Sequence, residues 1–467
     1  MALNTIPPAG NPRTGEQLAV VIERFAAQGR TVAHLAGMAV LVERGVPGER
    51  AVVEIERAES RYALARVVSV ENPSPDRVPA PCPHFDACGG CDWQHLRYEA
   101  QLALKRQVAQ EQLGRIGKVS APADWAVVPA PAPLEYRDKL ELAPFRGPAG
   151  WQVGTHGRGT DAIVPIDRCW LAPAVYSELA KAAVVELAAM ADALPLSVAR
   201  VTVQGGQGPD GAEHWGVTLH VRKPDQMEPL AVQGERLLKA LRTRFPGVSG
   251  LAAAVGAREE DPGRVRVIAG AGTLTKTVAP FRYSVPFGAF FQVHPAQASA
   301  LAEYVVAEML REVPPEDRAP RLLDLFCGAG LFTLPLLARG YRALGAENSR
   351  PALEAAREAA QAAGLAADFV PADLDGPHAL RKLMQRHGHP EGVVVDPPRR
   401  GLAARLAADL AAAAPAAIVY VSCDPGTFAR DAARLAPKYE LAALRGFDFF
   451  PQTHHLELVG TFRLRRG

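Results

Sequence analysis

From about Pro295 to the C-terminus, short apolar runs alternate with Ala-rich stretches of helical pattern, and this alternation restricts the architecture more than any other feature of the chain. The runs are RLLDLF, YRALGAE, ADFV, GVVVD, AAIVYVSC, ELAALRGFDFF and LELVGTFRLR. Strands separated by helices are too far apart in sequence to close as tight hairpins; they pair in parallel, each crossover burying a helix against the sheet. The expected fold is α/β, with a C-terminal doubly wound, Rossmann-like domain over residues 290–467.

A chain of 467 residues has room for more than that unit. Between Gln17 and Val70 the runs AVVI, MAVLV, AVVEI and ALARVVSV are separated by turn material such as Gly45-Val46-Pro47-Gly48, which predicts a small OB-like β-barrel over 1–75. Asn72-Pro73-Ser74-Pro75 marks its end. The following PAPCPHFDACGGCDWQHL has no usable periodicity and needs something other than a hydrophobic core to hold it. A helical stretch from Leu102 to Leu113 and β-like runs such as VARVTVQ, WGVTLHVR and RVRVIAG predict a central α+β domain over 76–289.

Lys plus Arg is 52 and Asp plus Glu is 50, a net charge of +2, so neither a disordered polyelectrolyte nor a basic tail is present. No apolar stretch suits a bilayer, and the opening MALNTIPPAGNPRTG lacks the basic start and apolar run of a secretory signal. A cytoplasmic, monomeric protein with no membrane partner is expected. In that reducing compartment its six cysteines are not expected to form disulfides, so each needs another explanation.

Asp324-Leu325-Phe326-Cys327-Gly328-Ala329-Gly330 reads as a strand ending in an acid and a Gly-x-Gly turn, before the helix-like LFTLPLLA. Glycines there let the backbone approach a ligand at the carboxyl edge of the sheet. A dinucleotide fingerprint wants a third glycine at 333, where Thr333 stands. The second strand ends at Glu347, placed to accept hydrogen bonds from ribose hydroxyls, and Asp373 after the third could meet an adenine amino group. Acids on successive strand ends are the pattern of S-adenosylmethionine (SAM) methyltransferases.

The fourth strand ends in Asp396-Pro397-Pro398-Arg399 and the fifth in Ser422-Cys423-Asp424-Pro425. A cysteine beside a helix N-terminus is expected to have a lowered pKa, which favours the nucleophilic thiolate. Carbon 5 of uracil is a poor nucleophile, but adding a thiolate to carbon 6 generates an enolate that can attack an electrophilic methyl group. The adduct must then lose its carbon 5 proton to a base, for which Glu457, after the turn Phe450-Pro451-Gln452, is the candidate. An amino-group methyltransferase acting on adenine, through Asp-Pro-Pro, would need no such cysteine. A non-catalytic RNA-binding factor would transfer no methyl group.

Cys82, Cys88 and Cys91, spaced C-x5-C-x2-C, and the distant Cys169 suit either a [4Fe-4S] cluster or structural zinc. A zinc ribbon usually brings two C-x2-C pairs, and radical SAM chemistry normally uses C-x3-C-x2-C with one iron left open. Neighbouring His84, Trp93 and His95 could stack on bases or pack around the cysteines. All nine basic residues in 1–80 are Arg, matched by nine acids, so a basic face there must come from arrangement.

FFQV (Phe290–Val293), DLFCGAG, VVVDPPRRG, YVSCDPGTFARD and FPQTHHLEL, in this order, resemble the RNA uracil-5-methyltransferase family, whose members make 5-methyluridine in transfer and ribosomal RNA. The resemblance implies Cys423 as nucleophile, Glu457 as base, and Gln292, Phe326, Gly328, Glu347, Asp373 and Asp396 as cofactor or target-base contacts. GVPGERAVVEI and NPSPDRV resemble the TRAM domain, an OB-like module of RNA-modifying enzymes. The cysteine set is similar to that of members specific for 23S ribosomal RNA and implies a [4Fe-4S] cluster on Cys82, Cys88, Cys91 and Cys169; a transfer RNA substrate is the alternative. Leu331, His294 and Asp424 depart from the commoner family pattern. Leu331 removes a polar contact to the amino-acid part of SAM, and an ionised Asp424 would oppose thiolate formation.

Overall fold

A computed structural model of the chain describes residues 12–191, 194–208, 211–256 and 264–466. The first eleven residues, and with them most of the segment read as lacking a secretory signal, lie outside the described residues.

Gln17–Val21, Arg24–Phe25, Thr31–Leu35, Met38–Glu43, Arg50–Ala58 and Tyr62–Val70 form one six-stranded sheet. Period-two alternation turns Leu18, Val20, Val40, Val42, Val53, Ile55, Ala63 and Ala65 into a single core. Thr31–Leu35 has no matching apolar run in the sequence; Thr31 is buried because its hydroxyl donates to Val42 O at 3.0 Å. The buried Glu49 carboxylate accepts from Arg77 Nε at 2.6 Å and Nη2 at 2.7 Å, and from the backbone of Val46 and Ser74. That arrangement fastens the proline-rich linker back onto the sheet.

A nine-stranded sheet, mostly antiparallel, fills the centre of the molecule, with Gly216–Val221 parallel to Gly250–Val255. Helices Ala174–Met190 and Met227–Arg244 pack on it through Leu179, Val184, Leu187, Leu237 and Leu241.

The C-terminal sheet has eight strands: β1 (Ala126–Val128), β2 (Arg321–Leu325), β3 (Arg342–Glu347), β4 (Asp368–Pro371), β5 (Gly392–Val395), β6 (Ala417–Ser422), β7 (Tyr439–Phe447) and β8 (Glu457–Leu464). Their order is β4-β3-β2-β5-β6-β8-β7-β1. The first five are parallel, β8 is antiparallel to both neighbours, and β1 runs parallel to β7. Because β3 and β5 leave β2 on opposite sides, the crevice between the carboxyl ends of β2 and β5 is the topological switch point, where open α/β sheets bind ligands.

Two segments assigned by sequence to the central domain pack with this sheet. Helix α1 (Tyr98–Gln112) starts four residues before the sequence expectation and contributes Ala109 to the C-terminal core, while β1 becomes its edge strand. The strand Phe281–Pro286 likewise buries Phe281, Tyr283 and Val285 there. Short apolar runs reveal a strand but not which sheet receives it. No described helix is long and apolar enough to cross a membrane.

Candidate active site

Each acid singled out on a strand end lies on one rim of the parallel sheet. Asp324 belongs to β2 and is fully buried; Thr333 Oγ1 donates to its Oδ2 at 2.5 Å, and its Oδ1 has no partner. The residue that breaks the dinucleotide fingerprint is thus the one that orients this carboxylate. Phe326, Gly328 and Gly330 all take positive φ in the turn beyond β2 (63°, 52° and 85°), and a Cβ on Gly330 would stand 3.2 Å from the Phe369 ring.

Glu347 closes β3 and accepts from the backbone N–H groups of Gly328 (3.2 Å), Asn348 and Ser349 (2.8 Å each). It binds the two turns together, leaving roughly one of a carboxylate's four lone-pair sites for a ligand. Asp373 is exposed beyond β4 and accepts from Asp375 N at 3.2 Å. Gln292 is half-buried on the loop before helix α2 (Pro295–Glu312), fixed by the core residue Phe291 on one side and by Val293, whose carbonyl accepts from Asp138 N at 3.1 Å, on the other.

Burial pushes Asp324 up to about 7, opposed by the Thr333 hydrogen bond and reinforced by Asp396 and Glu347. Burial and Glu347 likewise push Asp396 up to about 7. Glu457, buried at the start of β8, is raised well above the ordinary carboxylate range by burial and by Asp396, against the pull of Arg399. The crevice therefore gathers carboxyls that hold one another in the protonated form, and a bound cation would favour their ionisation. SAM, with its sulfonium and ammonium groups, fits that field and the unpartnered Asp324 oxygen.

Cys423 follows β6 and is half-buried. The thiol pKa is not lowered as the sequence suggests: burial, then Glu457 and Asp396, push it up to about 12, with Arg399 opposing and Asp424 adding to the rise. Helix α3 (Pro425–Leu435) does start here, but its cap is Asp424, whose carboxylate accepts from Thr427 N at 2.7 Å. Desolvation and the surrounding acids outweigh one helix end. These mutual effects bring Cys423, Glu457, Asp396 and Arg399 into one electrostatic unit. Arg399 was not singled out by sequence, although it sits in Asp-Pro-Pro-Arg three residues after Asp396.

The three departures have distinct fates. Leu331 is buried in the core below the Gly-x-Gly turn, and His294 is buried in a stack on Tyr136, ring centroids 5.0 Å apart. Asp424, as the helix cap, is the third.

The four remaining cysteines gather around a second, small core of Phe85, Cys91, Tyr136 and Leu171, with Cys82 and Cys169 packed against it. Burial, with Cys169 and Cys88 as like-charge neighbours, pushes the Cys91 thiol up to about 12, and burial also raises Cys169, which backbone hydrogen bonding and Arg137 partly offset. Gln94 Nε2 donates to Cys91 Sγ at 3.2 Å, Gly90 N to Cys88 Sγ at 3.3 Å, and Cys88 Sγ lies 3.1 Å from Thr155 Oγ1. The donor set and its neighbourhood suit a thiolate-bound group, but among the described residues no three His, Cys, Asp or Glu side chains stand close enough together to hold a metal ion.

Trp93 and His95 are packing residues rather than stacking platforms. Trp93 Nε1 donates to Gly29 O at 3.0 Å and meets Phe25 edge-on, while His95 stacks on Phe85. Half-buried His84 accepts from Asp167 N at 3.4 Å. Six of the nine N-terminal arginines (Arg30, Arg44, Arg50, Arg57, Arg66 and Arg77) are engaged in ion pairs, which limits any basic face on the barrel.

The doubly wound sheet, Gly-x-Gly turn and acid-lined switch point define a SAM-dependent methyltransferase. Residues 276–466 match the family described as tRNA (Uracil-5-)-methyltransferase, and residues 13–68 match the TRAM domain. The chain is 32% identical to 23S rRNA (uracil(1939)-C(5))-methyltransferase RlmD of Nitrosospira multiformis over 96% of this chain and 98% of that protein. It is 33% identical to the protein of the same description from Azoarcus sp., over 95% and 98%. In fold it resembles the tRNA (uracil-54, C5)-methyltransferase of Pyrococcus abyssi in complex with S-adenosyl-L-homocysteine, with a TM-score of 0.69 and 24% identity over 95% of this chain and 100% of that one. The chain belongs to the RNA uracil-5-methyltransferase family and is a SAM-dependent enzyme of that activity.

Proposed function

We propose that the enzyme methylates carbon 5 of a uridine in 23S ribosomal RNA, in the cytoplasm, through a covalent adduct with Cys423. The observation that carries this reading is the shared electrostatic field of Cys423, Glu457 and Asp396 on the ligand-binding rim. Cys423 gives its proton to water, and Sγ bonds to carbon 6 of the uracil. The carbon 5–carbon 6 π pair moves toward the carbonyl at carbon 4, forming an enolate. Carbon 5 takes the methyl group as the methyl–sulfur bond breaks and S-adenosylhomocysteine leaves. Glu457 takes the carbon 5 proton, the double bond re-forms, and the Sγ–carbon 6 bond breaks. A carboxyl pushed up by burial suits that step, since the shift makes its ionised form a stronger base than an exposed carboxylate.

The ligand assignments belong to the same reading: Glu347 for ribose hydroxyls, Asp373 for the adenine edge, Asp324, Phe326 and Gly328 for the rest of SAM, and Gln292 and Asp396 for SAM or the uracil. The target base is extruded from folded RNA into the crevice. The barrel and central domain hold the RNA. Cys82, Cys88, Cys91 and Cys169 would hold a [4Fe-4S] cluster, which supplies a cross-link between the loop and the start of the helical layer where no large core exists. The 23S target rests on the two relatives named above.

Glu457→Gln is expected to attack and methylate but to stall before release, leaving a protein–RNA adduct that survives a denaturing gel; free protein with unmethylated RNA would refute the assignment. Mapping 5-methyluridine in ribosomal and transfer RNA from cells with and without the gene tests the target. Purified anaerobically, the protein is expected to contain iron and sulfide; stoichiometric zinc without iron would refute the cluster.

A further inference from the structure

The turn between β7 and β8 carries the proposed base at its far end, and it is clasped by the segment that begins at the third loop cysteine. Asp92 follows Cys91 directly. Its Oδ2 accepts from His454 twice, from Nδ1 at 2.7 Å and from the backbone N–H at 3.2 Å, and the second bond is independent of the ring's tautomer. The backbone N–H groups of Asp92 and Trp93 both donate to Gln452 O, at 2.9 and 3.0 Å.

Asp92 is itself held from the other side. Arg158 reaches its Oδ1 at 3.4 Å, donates to Cys91 O and pairs with Glu43 of the barrel at 3.5 Å. Gly29 of the barrel packs so closely that a Cβ there would lie 3.1 Å from Asp92 Cβ and 3.3 Å from His454 Cβ. Tyr136, from the small core around Cys91, donates to Pro451 O at 3.2 Å. Barrel, central sheet, cysteine loop and catalytic turn therefore meet at the Asp92 carboxylate, which grips His454, three residues before Glu457.

We propose that Asp92 and His454 form a positioning latch through which the cysteine loop sets the place of the Glu457 carboxylate. The proposal rests on the reading of Glu457 as the base. Methyl transfer needs Cys423 and SAM, both held on the parallel part of the sheet, whereas proton removal needs a carboxylate aimed at carbon 5 to within a fraction of an ångström. Loosening the latch should therefore slow release and spare the earlier step.

The test is a single-turnover reaction of the whole protein with RNA and SAM, following methyl incorporation and decay of the denaturation-resistant adduct separately. Asp92→Ala is expected to keep methyl incorporation within about twofold and slow adduct decay by about tenfold. Asp92→Asn, which retains one acceptor oxygen, should fall between the two. Hydrogen exchange across residues 452–456 should quicken in Asp92→Ala while α1 and β8 keep their protection, a readout that does not depend on turnover. Adduct decay at the wild-type rate, or unchanged exchange in that peptide, overturns the latch. Glu457→Gln is run alongside: if it traps adduct and Asp92→Ala does not, the latch alone fails; if it traps none, the base assignment fails and the latch with it.

Discussion

Two groups of thiols in this molecule are pushed up by burial, yet they sit in opposite surroundings. Cys423 stands on the rim of a parallel sheet among Glu457, Asp396 and Asp424, with Arg399 as the opposing charge. Cys91 and Cys169 sit against Phe85, Tyr136 and Leu171, near the half-buried Arg137. The first environment is acidic, so its carboxylates disfavour the thiolate and a cation beside them would favour it. The second is built around a small apolar core, with Cys91 buried and Cys82, Cys88 and Cys169 partly exposed. Chemistry at a cysteine follows from the charges and space around it, not from the thiol itself.

The sharpest way to break that comparison is to remove Cys423. Cys423→Ala is expected to reduce methyl transfer by at least about a thousandfold and abolish adduct, with stability changed by no more than about 1 kcal/mol. Retained methylation, scored with labelled SAM, would favour an amino-group target.

Next is the wholly buried ion pair that ties α1, the continuation of the cysteine loop, to the turn between β7 and β8. Lys105 Nζ bonds Asp448 Oδ1 at 2.6 Å and Phe450 O at 3.0 Å, while Tyr98 holds the other Asp448 oxygen at 2.9 Å. Lys105→Met leaves Asp448 buried and uncompensated, at an expected cost of about 3–5 kcal/mol in denaturant unfolding.

A third test uses pH to separate the two thiol environments. Asp324 and Asp396 keep their protons up to about 7 in the folded, ligand-free protein against an ordinary 3.8. Between those values the folded state binds more protons than the unfolded one, so these carboxylates stabilise the fold at low pH and that contribution is lost as pH rises toward 7. A cationic ligand reverses the balance by favouring the ionised forms. SAM is therefore expected to bind more weakly below about pH 6 and to raise the melting temperature more at about pH 8 than at about pH 5.5. A SAM affinity flat across that range would show that these acids do not face the ligand. The smallest expected effect is on the apolar side: Trp93→Phe loses the hydrogen bond to Gly29 O, about 1 kcal/mol, with catalysis unchanged.

Much of the site was legible in the sequence because strand ends are local. An apolar run followed by an acid and a glycine turn puts Asp324, Glu347, Asp373, Asp396 and Cys423 on one edge whatever the rest of the chain does. The sign of the Cys423 shift was not legible. A helix N-terminus can be seen in Cys-Asp-Pro, but what outweighs it is burial and then a carboxylate of β8, whose antiparallel insertion beside β6 only the folded sheet decides. Thr333 was visible only as a missing glycine until its hydroxyl was seen on Asp324. Asp92 and His454 gave no signal, since residues 362 positions apart carry no local pattern.

The sequence by itself therefore determined the parallel sheet, its rim of acids, the cysteine on that rim and the barrel at the N-terminus, because periodicity and strand-end chemistry are properties of neighbours along the chain. The tertiary structure decided the rest: that residues 98–128 leave the central region to pack with the C-terminal sheet, that Cys169 joins the loop cysteines, and that the loop grips the turn before β8. Those outcomes depend on which buried surfaces and unpaired polar groups find each other in space, a choice that no short stretch of residues contains.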